Sequence, residues 1–168
     1  TWAEYFTAPA SSVIPIPDAI DDEMAAQLIA MPMSALMLIE FLELEKGQWV
    51  IQNAANGAVG ESLAMLAAER GIHTINVVRS KESVNELTEI GITENNVVSD
   101  DDDWKDQVRQ IIGDAKISGA VDSVGGQSGG DLLSLLGHGG IMAAVGAMSG
   151  QPLALNPTHL IFKQATLK

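Results

Sequence analysis

The chain has 168 residues, 46% of them hydrophobic and 18% charged, so one globular domain can bury a substantial core without covalent staples. It contains no cysteine, which excludes disulfides and thiolate metal sites in this segment and is compatible with a reducing compartment. A formal charge of −13 argues against nucleic acid and anionic membrane surfaces as partners, because both need a basic footprint.

No basic residue precedes Lys46, which argues against a signal or transit peptide in this segment. Met24–Ile39 is apolar but interrupted by Gln27, Pro32 and Ser34, and it is shorter than the roughly 20 residues of a bilayer span. It reads as a buried or interfacial helix broken at Pro32. From Trp49 a short apolar strand runs into a small-residue turn that opens a helix with Leu63, Ala64, Leu66 and Ala67 at helical spacing, ended by Gly71. His73–Val78 is a second buried strand, and the two strands with their helix make a βαβ unit, which favours a parallel sheet.

The alternation continues. Val84–Ile90 before Gly91 is a helix, Asn96–Ser99 a short strand, and Trp104–Ile112 a helix with Trp104, Val108, Ile111 and Ile112 inward. Ala120–Val124 is a fourth strand before Gly125-Gly126, Asp131–Leu136 a helix stopped by Gly137, Ile141–Val145 a fifth strand before Gly146, and Ile161–Leu167 a sixth. The fold class is therefore α/β, a Rossmann-type doubly wound parallel sheet with helices on both faces. In that arrangement the turns after strands one, two, four and five line one crevice. The run Asp100–Asp103 reads as a solvated loop, since adjacent acids do not converge on an ion without other ligands.

The turn after the first strand carries the chemistry. Ala55-x-Gly57-x-x-Gly60 is the dinucleotide-binding fingerprint with its first glycine replaced by alanine. Small residues there let the backbone approach a pyrophosphate, whose charge then rests against the free N–H groups of the following helix. About 20 residues beyond, where an acid would bind the ribose 2′-hydroxyl of NAD, stand Arg79, Ser80 and Lys81. A guanidinium grips a 2′-phosphate that an acid would repel, so the arrangement points to NADP(H). His73, His138 and His159 show no ligand spacing and are expected to be structural or solvent-facing, and no metal site is expected.

Thr1-Trp-Ala-Glu-Tyr5, Val50–Gly60, Thr74–Arg79, Asp122–Gly126, Gly146–Pro152 and Leu160–Lys163 together resemble the medium-chain dehydrogenase/reductase superfamily. Within it they are most similar to the zinc-independent 2-enoyl thioester reductases, and next to the quinone oxidoreductases. The resemblance implies an excised NADP(H)-binding domain over residues 21–168, preceded by the tail (1–20) of a GroES-like catalytic domain. It implies that Asn56, Gly57, Ala58, Val59 and Gly60 hold the pyrophosphate and that Arg79, Ser80 and Lys81 hold the 2′-phosphate. Gly125 and Gly126 turn at the crevice, Val145, Gly146, Ala147 and Met148 lie along the nicotinamide end, and Ser34 approaches the nicotinamide. The turn before Ser34 reads Met31-Pro32 where the family usually has Asn-Pro.

Tyr5 does not match the family's proton-donating tyrosine, so no catalytic residue is assigned and the fragment alone is expected to be inactive. The parent enzyme is expected to pass hydride from NADPH to an activated double bond, with an enoyl thioester as substrate and a quinone as the rival. A zinc-type alcohol dehydrogenase cofactor domain and a non-catalytic nucleotide-binding or interaction domain are the remaining alternatives. A homodimer through the last strand is expected, in the cytoplasm, or in the mitochondrial matrix if the parent carries a transit peptide.

Overall fold

A computed structural model describes residues 3–168; Thr1 and Trp2 of the Thr1–Tyr5 motif lie outside the described residues. Among the described residues up to 20, the regular structure is one 3-10 turn, Ala10–Ser12, and Tyr5, Phe6, Val13 and Ile14 stand exposed. Helix α1 (Asp22–Leu28) starts at Asp21, whose carboxylate accepts from the Met24 amide at 2.8 Å. Helix α2 (Met31–Phe41) follows after a break at Ile29–Ala30. Pro32 is thus not the break. It sits in the first turn of α2, where a missing N–H costs no helical hydrogen bond.

Taken together, Asp22–Phe41 is 20 residues with an 18-residue window of mean hydropathy 1.6, long and apolar enough to cross a membrane. That exceeds the Met24–Ile39 stretch read from the sequence. In the fold, however, α2 buries Ala35, Leu38 and Ile39 in a cluster with Leu63 and Ala67 of α3 and with Val50.

The remaining elements alternate: β1 (Trp49–Gln52), α3 (Ala58–Glu69), β2 (His73–Val78), α4 (Lys81–Glu89), β3 (Asn96–Val98), α5 (Trp104–Ile112), β4 (Ile117–Asp122), α6 (Gly126–Leu135), β5 (Ile141–Ala144), α7 (Pro157–Lys163) and β6 (Thr166–Leu167). All strand pairs are parallel and the sheet order is β3-β2-β1-β4-β5-β6, so strands are added outward from β1 to one side and then, from β4, to the other. One face carries α2 and α3 over Val50, Val121 and Ala143. The other carries α5 and α6, with Trp104, Val108, Leu132 and Leu133 packed on Ile51, Ile75, Ala120 and Met142. Helix α4 covers the β2–β3 end through Leu87 and Val78.

Two expectations need correction. Ile161–Lys163 is not strand but the end of α7, and only Thr166–Leu167 joins the sheet, beside β5. The Asn156 side chain accepts from the Thr158 amide and Pro157 fills the first helical position, so this segment carries a helix start that its apolar residues obscure. Helix α6 begins at Gly126 rather than Asp131, because the glycines of its first turns lie where β4 and the 153–154 segment pass closely.

Candidate cofactor site

The switch in strand order opens a crevice of about 860 Å³ at the carboxyl ends of the strands. Of the residues expected there, Asn56, Gly57, Ala58, Val59, Gly60, Arg79, Val145, Gly146 and Met148 line it. Gly125 and Gly126, both at positive φ, make the turn from β4 into α6 beside it, while Ser80, Lys81 and Ala147 flank the lining. Ser34 lies instead in a neighbouring apolar groove along α2, which shares Val59, Ser123 and Val145 with the crevice. Its hydroxyl donates to the Ala30 carbonyl at 2.8 Å, so helix packing accounts for that hydrogen bond.

The turn between β1 and α3 follows from its residues. Ala54 takes a left-handed conformation, Ala55 is fully buried with its amide on the Val77 carbonyl, and Gly57 precedes α3 with extended backbone. No side chain caps the start of α3, so its first amides have no protein partner from that source and face the crevice at Ala58, Val59 and Gly60. A Cβ on Gly57 would meet only the Ala54 carbonyl, at 3.3 Å. A side chain there fits only if that carbonyl yields by a few tenths of an ångström.

Two cations stand at one end, among the acids Glu82, Glu86 and Asp100. Arg79 follows β2, exposed and lining the crevice, and among the described residues neither it nor Lys81 forms an ion pair. Ser80 caps α4, accepting from the Ser83 amide at 3.4 Å, so its oxygen is already engaged in ordering the turn that presents Arg79 and Lys81. Hydrogen bonds from its own backbone amide and from Ser80 hold the Glu82 carboxyl below the ordinary glutamate range, with the charge of Lys81 adding to them. Asn56 donates to Ser83 Oγ at 3.2 Å and to Glu86 at 2.8 Å, tying the β1–α3 turn to α4. Asp100, first of the four aspartates, reaches the crevice rim. Asp103 instead accepts from Gln107 within α5.

A buried polar frame escaped sequence reasoning. Gln52 donates to the Gly60 carbonyl at 2.8 Å and to Asn76 at 2.9 Å, and Asn76 donates to Asn96, which fastens α3 and the three strands β1, β2 and β3 together. Across the switch point, Asn53 donates to Asp122 Oδ1 at 2.6 Å and to Ser128 Oγ at 3.0 Å, while its own Oδ1 accepts from the Ser123 amide at 2.7 Å. Gln52, Asn53, Asn76 and Asp122 are each at most 3% exposed. The available signal was a polar side chain inside an apolar strand, which a buried parallel sheet admits only when it is hydrogen-bonded.

The profile of the zinc-binding dehydrogenase family matches residues 58–168, from the start of α3 through the last strand. The chain belongs to that family. It is thereby placed, as the motifs suggested, in the medium-chain dehydrogenase/reductase superfamily as a cofactor domain. It is 36% identical to the mitochondrial enoyl-[acyl-carrier-protein] reductase of Caenorhabditis elegans over 173 residues, covering 100% of this chain and 48% of that protein. Among solved structures, it is similar to a putative NADPH:quinone reductase from Bacillus thuringiensis, with a TM-score of 0.85, 26% identity, and 96% and 48% of the two chains covered. It is also similar to the mitochondrial 2-enoyl thioester reductase Etr1p/Etr2p of Candida tropicalis, with TM-score 0.78, 26% identity, and 88% and 43% coverage. The Etr1p/NADP/crotonyl-CoA complex matches at TM-score 0.77 and 27% identity, again with 88% and 43% coverage. The chain spans about half the length of the curated relatives it matches.

The family's name raises zinc, and the donor set here does not fit it. Among the described residues no three His, Asp or Glu side chains converge, and His73 is stacked on Trp49 with ring centroids 4.7 Å apart. No chemistry is routed through a metal in this segment.

Proposed function

We propose that this chain is the NADP(H)-binding part of a reductase that passes hydride from NADPH to an activated carbon–carbon double bond, with a 2-enoyl thioester as the substrate class. The observation that carries the cofactor assignment is the Gly57 turn: uncapped helix amides face a crevice whose lining includes Arg79, which forms no ion pair among the described residues. Pyrophosphate fits the amides of Ala58, Val59 and Gly60, and the 2′-phosphate fits Arg79 and Lys81 beside the Ser80-capped turn. The nicotinamide half then extends toward Val145–Met148. NADPH supplies the hydride, and this chain's residues bind and orient it.

The thioester reading follows the names of the relatives, and the mitochondrial matrix is the compartment they favour. Quinone reduction is the second reading, supported by the high structural similarity to an NADPH:quinone reductase. Residues 1–20 fit the tail of a preceding catalytic domain, since the described ones, 3–20, are mostly exposed and include no buried residue. A homodimer through the β6 edge remains part of the proposal. Its support is the short, solvent-exposed outer strand Thr166–Leu167.

The test is twofold. Calorimetric titration of this chain with NADPH and NADH should give binding that favours NADPH. Absorbance at the NADPH band, with a crotonyl thioester and separately a small quinone, should show negligible turnover by this chain and turnover by the full-length parent. Reduction of quinone but not thioester by the parent would promote the second reading.

A further inference from the structure

Asp122 is a buried acid that the cofactor reading leaves without a role. It ends β4, is 1% exposed, and accepts three hydrogen bonds, all on Oδ1: from Asn53 Nδ2 at 2.6 Å, the Val124 amide at 3.0 Å and the Gly125 amide at 2.9 Å. Its other oxygen faces α6 at Gly129, where a Cβ would stand 2.2 Å away. Among the described residues no Lys or Arg pairs with it. Asn53, Ser123, Val124 and Ser128 separate the carboxylate from the crevice, and all four line it. The Asp122 main-chain carbonyl also accepts the amides of Val145 and Gly146, so the residue adjoins the β5 turn to which the cofactor reading assigns the nicotinamide.

A charge so placed acts on a ligand mainly through its field, because neutral donors satisfy its hydrogen bonds without cancelling its charge. The two redox forms of the cofactor differ by one positive charge on the nicotinamide ring and are otherwise alike. We propose that the Asp122 carboxylate, held under the nicotinamide end by Asn53 and the Val124 and Gly125 amides, makes the site favour the oxidised, cationic cofactor and thereby makes bound NADPH a stronger hydride donor. This rests on the cofactor reading above. With the cofactor bound, the fixed Asp122 charge, already in place, would stabilise the positive charge of the oxidised ring without reorganisation. Asp122 touches no reacting atom, so it is a positioning residue in the electrostatic sense. Its effect appears in binding as well as in rate, because the ratio of affinities for the two forms is linked to the driving force of the bound couple.

Asp122→Asn isolates the charge. Since all three donors point at Oδ1, an amide oxygen can replace it there and keep the Asn53 bond and the turn. The wild-type chain and Asp122→Asn are titrated with NADP+, NADPH and adenosine 2′,5′-bisphosphate, with thermal melts confirming folding. The preference for NADP+ over NADPH should fall about tenfold in the variant, the order expected when one buried charge near the ring is removed at an effective dielectric constant of about 20. Affinity for the bisphosphate, which lacks the ring, should stay within about twofold. Should Asp122→Asn fail to fold, the smaller neutral Asp122→Ser removes the same charge, and the preference should again fall. An unchanged ratio in a folded variant that still binds the bisphosphate overturns this inference alone. Wild-type protein that binds neither NADP+ nor NADPH overturns the cofactor reading, and this inference with it.

Discussion

The first turn of α3 rests directly on Ala55: a Cβ on Gly60 would stand 2.6 Å from the Ala55 carbonyl oxygen and 2.7 Å from its Cα. No flexible side chain can yield there, because both atoms are backbone. Gly60→Ala should therefore shift the helix against the β1 turn and cost about 1–3 kcal/mol in denaturant unfolding.

Gly57 is the contrasting case. Its φ of −91° suits any residue, and its nearest obstacle is one carbonyl oxygen at 3.3 Å. Gly57→Val should leave the melting temperature within a few degrees of wild type yet weaken NADPH binding, since the new side chain fills the space the pyrophosphate needs. Equal NADPH affinity by calorimetry would remove this turn from the site.

Cofactor choice should turn on Arg79. Arg79→Ala is expected to lose roughly 1.5–3 kcal/mol, about 10- to 150-fold, against NADPH and little against NADH. Because Arg79 is exposed, the difference should shrink as salt is raised. Parallel losses for both cofactors would contradict the assignment.

The pH dependence of the same turn has a defined sign. Glu82 is held below the ordinary glutamate range in the folded chain, first by its own backbone amide and then by Ser80. A carboxylate with a lowered folded-state pKa contributes stability above its unfolded value and loses it as pH falls through the folded one. Glu82→Gln should thus flatten the decline in thermal stability on acidification below about pH 5, and melts across that range would show it.

Lys163 anchors the last helix. Its ammonium donates to the Ser134 and Leu136 carbonyls at 2.6 and 2.8 Å, at the end of α6, where unpaired carbonyls attract a cation. Lys163→Met should cost about 1 kcal/mol in chemical denaturation and loosen α7, which proteolysis near Pro157–Lys163 would detect.

Much of the architecture was legible in the chain itself. Apolar strands such as Val50–Gln52 and Thr74–Val78 alternate with helical repeats such as Leu63–Ala67, and local pattern fixes such elements because burial on both faces leaves few other conformations. The fingerprint at Ala55–Gly60 and the basic turn at Arg79–Lys81 were equally visible, since each depends on neighbours in sequence. Where local and tertiary terms competed, the sequence misled. Ile161–Phe162 is apolar and β-prone, but Asn156-Pro157 starts a helix and the Ser134 and Leu136 carbonyls hold its last turn through Lys163. Only the fold could bring Asn53 to Asp122, 69 residues apart, Gln52 to Asn76, and Asn76 to Asn96. A buried polar group is tolerated through the partner it finds, and that partner is set by strand order and register, which no short stretch of sequence encodes.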